Sequence, residues 1–340
     1  MLHPANATVP PEGHPPPEDT VAVIVVNWNA GHVLIDCLAA LELQTLQASR
    51  IVVVDNGSSD GSAAAAQLRF PHLEWITLGR NTGFAHANNV ALARADGVRW
   101  IALLNPDARP EPQWLEELLR TAASRDAFTC FASRLVSATD PTRLDGAGDS
   151  YHVTGLPGRV GHGLAASGQF TTAREVFSAC AAAALYRRDV LLETGGFEDK
   201  FFCYVEDVDL GFRLRLRGQR CLYVPTAVVH HLGSQSAGRG SDFYVYHGQR
   251  NIVWTFIRNM PGIWLWLFLL PHLALNLVAL CHFAWRGQGK VAWHAKRDAL
   301  YSLPSLLRDR RHIQSTRNTS AWEVVRCMSF GWPGLRRVRD

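Results

Sequence analysis

The spacing of hydrophobic positions changes several times along the chain. VAVIVVN (21–27) is an unbroken apolar run rich in β-branched residues, the mark of a strand buried on both faces. A helical stretch at 31–43 follows, then a second buried strand, RIVVVDN (50–56), closed by the turn sequence GSSDGS. Another helix, a strand at LEWITL (73–78), a helix at 84–95 and the strand WIALLN (100–105) continue the alternation. Strands alternating with helices at this spacing predict an α/β chain with a doubly wound, mostly parallel sheet. In such sheets the ligand sits beyond the carboxyl ends of the strands. Those ends carry Asn27 and Asn29, Asp55 and Asn56, and Asn105 and Asp107. Three successive strand ends are polar, which marks a candidate site.

Between 143 and 170 the pattern loosens, with a glycine every few residues. The composition fits a mobile loop covering an active site and equally a surface excursion. Order returns with EVFSACAAAALYRR (175–188) and GGFEDKFFCYVED. VDLGFRLRLRG (208–218) alternates as a strand would, but its i,i+4 pairs and terminal Arg217–Gly218 predict a helix end. WLWLFLLPHLALNLVALCHFAW (264–285) has no charged side chain and is just long enough to span a bilayer. Pro271, His272, Asn276 and His282 interrupt it and tryptophans mark both ends, so an interfacial or re-entrant element, or a buried hairpin, also fits.

Composition narrows the class. The 340 residues suffice for one large core with or without an appendage, and a net charge of +4 is too mild to indicate nucleic acid. Basic residues crowd the stretch from Arg286 to Arg339, which suits anionic lipid headgroups. Seven cysteines without a CxxC pair read as reduced thiols in a cytosolic compartment, not as a disulfide framework or a zinc site. Residues 1–19 are proline-rich, carry no apolar signal segment and are expected to be a disordered leader.

Four segments carry candidate chemistry. In VDNGSSDG (54–61) Asp55 ends a strand, where it either shapes the turn or accepts from a base or ribose, and Asp60 is expected to cap the next helix. In LLNPDARP (103–110) Asn105 and Asp107 flank a proline; they make an Asx-turn or hold a divalent cation against a diphosphate. VVHHLGSQS (228–236) offers two histidines that could complete such a site. FFCYVEDVD (201–209) places Glu206, Asp207 and Asp209 at the edge of an apolar wall.

Together these segments resemble the glycosyltransferases of family two, which have the GT-A fold, and within them the rhamnosyltransferase-like enzymes of bacterial surface-polysaccharide synthesis. The matching pieces are VVNWN (25–29), VVDNGSSDGS (53–62), NTGFAHANN (81–89), LLNPDA (103–108), YRRDVLLETGGFEDKFFCYVEDVDLGFRLRLRG (186–218) and HHLGSQS (230–236). The resemblance implies a nucleotide pocket lined by Asn27, Asn29 and Asp55, with Asn81, Gly83 and Asn89 shaping its floor near the diphosphate. It implies that Asp107, with Asn105 at the first position of the family's DxD motif, and His231 hold a divalent cation, Mg2+ or Mn2+. It implies that Asp207, seconded by Glu206, is the catalytic base. Desolvation by Phe201, Phe202 and Tyr204 and repulsion from Glu206 and Asp209 are expected to raise the Asp207 pKa; helix N-terminal carboxylates are the alternative for this cluster. No QxxRW motif follows, QRN at 249–251 being different, which argues against processive synthesis.

The expectation is therefore an inverting, non-processive transferase. It would move one sugar, such as rhamnose from dTDP-rhamnose, to a lipid-linked glycan at the cytoplasmic face of the membrane. The expected division is a GT-A catalytic domain over 20–245, with a nucleotide-sugar half to about 110, then a helical, apolar and basic membrane-associated region over 246–340. A nucleotidyltransferase would want a basic glycine-rich loop after the first strand, and NWNAGHV is not one; a dinucleotide oxidoreductase would want GxGxxG there. A non-catalytic sugar-binding protein would lack the base, and Asp207 is present.

Overall fold

β-branched runs with no polar face can be satisfied only in the middle of a layered sheet, and there they lie. The computed structural model describes residues 19–233, 238 and 240–331; most of the expected leader, the end of HHLGSQS and the last basic residues lie outside the described residues. β1 (Val21–Asn27), α1 (Val33–Glu42), β2 (Arg50–Asp55), α2 (Ser62–Arg69), β3 (Glu74–Thr77), α3 (Phe84–Arg94) and β4 (Trp100–Leu104) form the predicted alternation. β1 pairs in parallel with β2 and β4, and β2 with β3. Next come β5 (Ala108–Pro110), α4 (Trp114–Ala123), β6 (Cys130–Ser137), β7 (Leu144–Gly146), β8 (Asp149–Tyr151), β9 (Pro157–Arg159), β10 (Arg174–Val176), β11 (Ala183–Arg187), α5 (Arg188–Thr194), α6 (Glu206–Leu216) and β12 (Cys221–His231). The sheet runs β10-β12-β6-β11-β4-β1-β2-β3, with β5 added to β12 and β7 to β6. β11 is antiparallel to both neighbours, which makes the sheet mixed. Apolar layers cover both faces, one including Ile24, Ile101 and Leu103, the other Val23, Leu34 and Trp114.

The glycine-rich segment is part of the folded body, not a surface excursion. β7, β8 and β9 lie within it, and Asp145, Asp149 and Tyr151 are buried. Tyr151 stacks on Phe177 at 5.4 Å between ring centroids, and Phe212 meets both edge-on at 4.9 and 5.3 Å. This triad fastens the segment to α6, which forms as a helix where VDLGFRLRLRG was predicted to.

The C-terminal helices are α7 (Asp242–Asn259), α8 (Trp264–Leu267), α9 (Leu269–Trp285), α10 (Gly289–Tyr301), α11 (Leu303–Ser315) and α12 (Ala321–Arg326). The expected domain boundary after 245 falls inside α7. The apolar stretch 264–285 breaks into α8 and α9, and no helix among the described residues is long and apolar enough to cross a membrane. Its polar interruption His272 points inward, stacked on Phe256 at 3.9 Å and bonded through Nδ1 to the Thr154 carbonyl at 2.8 Å. The apolar residues point outward: Leu270 is 76% exposed, Leu277 62% and Val278 66%. Lys296, expected beside lipid headgroups, is buried and donates to the Gln249 carbonyl at 2.8 Å; burial lowers its pKa to about 7.

Phe212→Ala should cost about 3–5 kcal/mol, the usual loss for a buried ring. Denaturant unfolding would show this as a lower midpoint, and an unchanged midpoint would deny the triad its fastening role.

Candidate active site

The strand ends open on a cavity of about 640 Å3, within the range of small-ligand sites. One wall is polar and comes from the parallel strands and their loops: Asn56, Asn81, Gly83, Asn105 and Asp107. Glu206 and Asp207 also line the cavity, with Phe202, Tyr204, Phe243 and Tyr244. Asp149, Arg159 and Cys180 line it as well.

Asp107 and His231, far apart in sequence, are joined by sheet register. β5 pairs with β12 so that Ala108 lies opposite His231, and the Leu232 N–H donates to the Asp107 carbonyl at 3.1 Å. His231 Nδ1 lies 2.8 Å from Asp145 Oδ2, while Nε2 lies 3.3 Å from Asp107 Oδ1 without hydrogen-bond geometry. Burial would lower the His231 pKa, but the two carboxylates outweigh it and lift it to about 9. Arg159 bonds Asp145 Oδ2 through Nη1 and Asp149 Oδ1 through Nε, each at 3.2 Å. Burial pushes Asp149 up to about 7, Arg159 pulling down and the Asp207 charge adding to the rise. Asp149, Cys180 and Asp207 bring ligand atoms within 4.8 Å of one another, but Arg159 already supplies the positive charge there.

The three carboxylates of the acidic segment have different surroundings. Asp209 is fully buried and ion-paired with Arg213 at 2.8 Å, and it accepts from Asn259 at 2.7 Å. Burial would raise its pKa, but Arg258, Arg213 and Asn259 hold it below the usual carboxylate range. The desolvation falls on Glu206, whose carboxyl is pushed well up by burial and then by the Asp207 charge. Asp207 is only partly buried, lines the cavity, and accepts from the backbone N–H groups of Val208 at 2.8 Å and Ala181 at 3.2 Å.

Of the residues singled out in the sequence, Asn81, Gly83, Asn105, Asp107, Glu206, Asp207 and His231 line this cavity. Asn27, Asn29, Asp55 and Asn89 stand behind its walls. Asn27 donates to Ser58 and Ser62, Asn29 accepts from the Ser59 N–H, and Asp55 accepts from the Ser58 N–H, so all three shape the turn after β2. Asn89 ties α3 to Phe197 and Asp199. Asp60 accepts from the N–H of Ser62, the first residue of α2, and from the Gly31 N–H. Asn56, named at the end of the second strand, lines the cavity too, whereas Asp145, Asp149 and Arg159 were not singled out. The last three are charged residues of the glycine-rich segment, a signal present in DGAGD and PGRVG that composition alone does not assign to a site.

The family described as Glycosyl transferase family 2 matches residues 22–195, just over half of the chain. An N-acetylglucosaminyl-diphospho-decaprenol L-rhamnosyltransferase of Mycobacterium tuberculosis is 31% identical over 249 residues, covering 65% of this chain and 78% of that protein. Among solved structures, GalNAc-T7 with UDP, GalNAc and Mn2+ superposes with a TM-score of 0.57 at 15% identity, over 70% of this chain and 48% of the other. Mannosyltransferase PcManGT from Pyrobaculum calidifontis in complex with GDP-Man and Mn2+ superposes with a TM-score of 0.50 at 19% identity, over 89% and 85%. At those identities the two structures speak for the shared GT-A fold alone. The chain belongs to glycosyl transferase family 2 and is a rhamnosyltransferase-like glycosyltransferase.

Proposed function

We propose that this enzyme moves one sugar, rhamnose from dTDP-rhamnose, to a lipid-linked glycan by a single inverting displacement. The observation that carries the reading is the placement of Asp107–His231 and of Asp207 in the lining of one cavity. The name of the mycobacterial relative, with its deoxyhexose and its diphospho-lipid acceptor, supports the choice of substrates. In this reading the acceptor oxygen bonds to the anomeric carbon as the bond to the diphosphate oxygen breaks. The acceptor proton passes to the Asp207 carboxylate, and the nucleoside diphosphate leaves. Burial, and then the Asp207 charge, push the Glu206 carboxyl well up and so disfavour a second charge beside the base.

The residues fit a divalent cation, Mg2+ or Mn2+. His231 presents a buried Nε2 beside Asp107, with its other nitrogen fixed by the Asp145 carboxylate, the arrangement usual behind ligating histidines. A bound cation would neutralise charge on the departing diphosphate. Asn105 stands at the cavity wall beside Asp107, and Asn27, Asn29, Asp55 and Asn89 support the nucleotide side from behind. The nucleotide-sugar half then runs to about 110, the acceptor half to about 245, and the helices beyond form the membrane-facing region, with α7 bridging the last two.

We place the enzyme peripherally at the cytoplasmic membrane surface. α9 turns Leu270, Leu273, Leu277 and Val278 outward, exposed Arg286 and Lys290 follow, and Phe283 of the same helix reaches the cavity wall. An outward apolar face next to cations suits an anionic leaflet.

The reading is tested by incubating the protein with a panel of nucleotide sugars and scoring thermal shift and nucleoside diphosphate release; release from none of them would sink it. Asp207→Asn should lower transfer about a hundredfold or more while donor binding persists; near-normal turnover would move the base to another group. Excess chelator should abolish turnover and Asp107→Ala should weaken donor binding, whereas full activity in chelator would exclude an essential metal. The protein should co-sediment with vesicles rich in anionic lipid, less so at high salt. Replacing Leu273 and Leu277 together by Gln should release it, and equal binding of that variant would remove α9 from the membrane contact.

A further inference from the structure

The backbone that delivers Asp207 is unusual. Of the four non-glycine residues with positive φ among the described residues, three lie in this one loop: Phe202 at 66°, Tyr204 at 67° and Val205 at 70°. A β-branched residue in that region is a genuine outlier. Phe202 is the centre of a positive-φ γ-turn, ψ −67°, in which the Cys203 N–H donates to the Phe201 carbonyl at 2.8 Å. Such conformations persist only where the surroundings enforce them.

The surroundings are on α7. Asn251 is fully buried, and its Nδ2 lies 3.0, 3.0 and 2.8 Å from the carbonyl oxygens of Phe201, Cys203 and Tyr204. Arg250 donates from Nε to Asn251 Oδ1 at 3.0 Å, which turns the amide so that its N–H groups face the loop. Arg250 Nη2 also reaches the carbonyls of Lys200 and Phe201 at 3.1 and 3.0 Å, and its guanidinium lies 4.2 Å over the Trp254 ring. The same residue pair recurs eight positions on as Arg258–Asn259. There Asn259 donates to Asp209 at 2.7 Å and Arg258 to Glu198 at 2.7 Å. One helix thus grips the acidic segment on both sides of Asp207. Neither Arg250 nor Asn251 lines the cavity, although their neighbours Gly248, Gln249 and Ile252 do.

We propose that Arg250–Asn251 is a positioning pair, which holds the strained loop 202–205 so that the Asp207 carboxylate faces the cavity; this rests on the sugar-transfer reading of the site. The pair acts through backbone carbonyls and not on the reacting atoms. Its loss would let the loop relax toward ordinary backbone angles and carry the carboxylate away from the acceptor.

The test uses the full chain with Asn251→Asp, which keeps the shape but removes the donors, and Arg250→Gln, which frees the amide to rotate. Hydrogen exchange followed by mass spectrometry should accelerate in the peptide covering 200–209 and stay unchanged in the strands of the sheet. With dTDP-rhamnose and a lipid-linked N-acetylglucosamine acceptor, kcat should fall about a hundredfold, the scale of a misplaced catalytic group. The KM for the donor should hold. Wild-type kcat with wild-type exchange, or faster exchange spread through the whole sheet, would overturn the proposal. If Asn251→Asp fails to fold, Arg250→Gln decides by the same two readouts. Exchange needs no substrate, so a failure of the clamp shows there, whereas a silent unsubstituted enzyme counts against the sugar-transfer reading.

Discussion

Asp145 has almost no contact with water, yet one of its oxygens, Oδ2, receives both His231 and Arg159. Burial alone would raise its pKa, but these two partners hold it well below the usual carboxylate range. The three residues come from three different elements, β7, β12 and β9. A buried charge without its partner is far more costly than a buried pair is favourable, by about 3–5 kcal/mol when one member is removed. The glycine-rich segment, which holds both Asp145 and Arg159, therefore cannot drift from the sheet without parting Asp145 from His231. The same bond that closes the fold on this side also sets which nitrogen of His231 faces Asp107. Structure and chemistry here share one carboxylate.

The parallel half of the sheet was legible because double-sided burial leaves an unmistakable apolar run, as in Val21–Val26 and Val52–Val54. The end of β4 likewise delivered Asn105 and Asp107 to the cavity. What strand ends do not reveal is direction: Asn27 and Asp55 sit opposite each other in register, yet both point into the turn behind the wall. Asp145, Asp149 and Arg159 were hidden for another reason. Their segment has neither helical nor strand period, since its strands are only three residues long and its glycines let the backbone turn between them. QRN at 249–251 was measured only against a different motif. Its role depends on carbonyls some fifty positions earlier, which no local pattern records.

The apolar stretch 264–285 shows how composition and placement can part. Counted as a string it is long enough for a bilayer; folded, it spends His272 on a stacked ring and a backbone carbonyl of the catalytic body. Pro271, in the first turn of α9, costs no internal helical bond. The polar residue is thus the anchor, and the leucines are what remains outside. Lys296 makes the complementary point. It belongs to the basic cluster by position but to the interior by helical phase, so the cationic surface next to α9 is left to residues such as Arg286 and Lys290.

Helical phase also resolves the acidic cluster. Successive residues of a helix turn by about 100°, so Glu206, Asp207 and Asp209 leave the first turn of α6 in three directions. Glu206 is buried, which pushes its pKa well up. Asp209 turns to Arg213, Arg258 and Asn259 and is committed to structure. Asp207, the least buried of the three, lines the cavity with two backbone N–H groups fixing its orientation. Repulsion along the sequence is thus only part of the guide to this segment: it adds to the rise at Glu206, whereas Arg258, Arg213 and Asn259 hold Asp209 down. What sends the three carboxylates in different directions is the helix start. That start lies where the strained turn ahead of it, held from α7, allows α6 to begin.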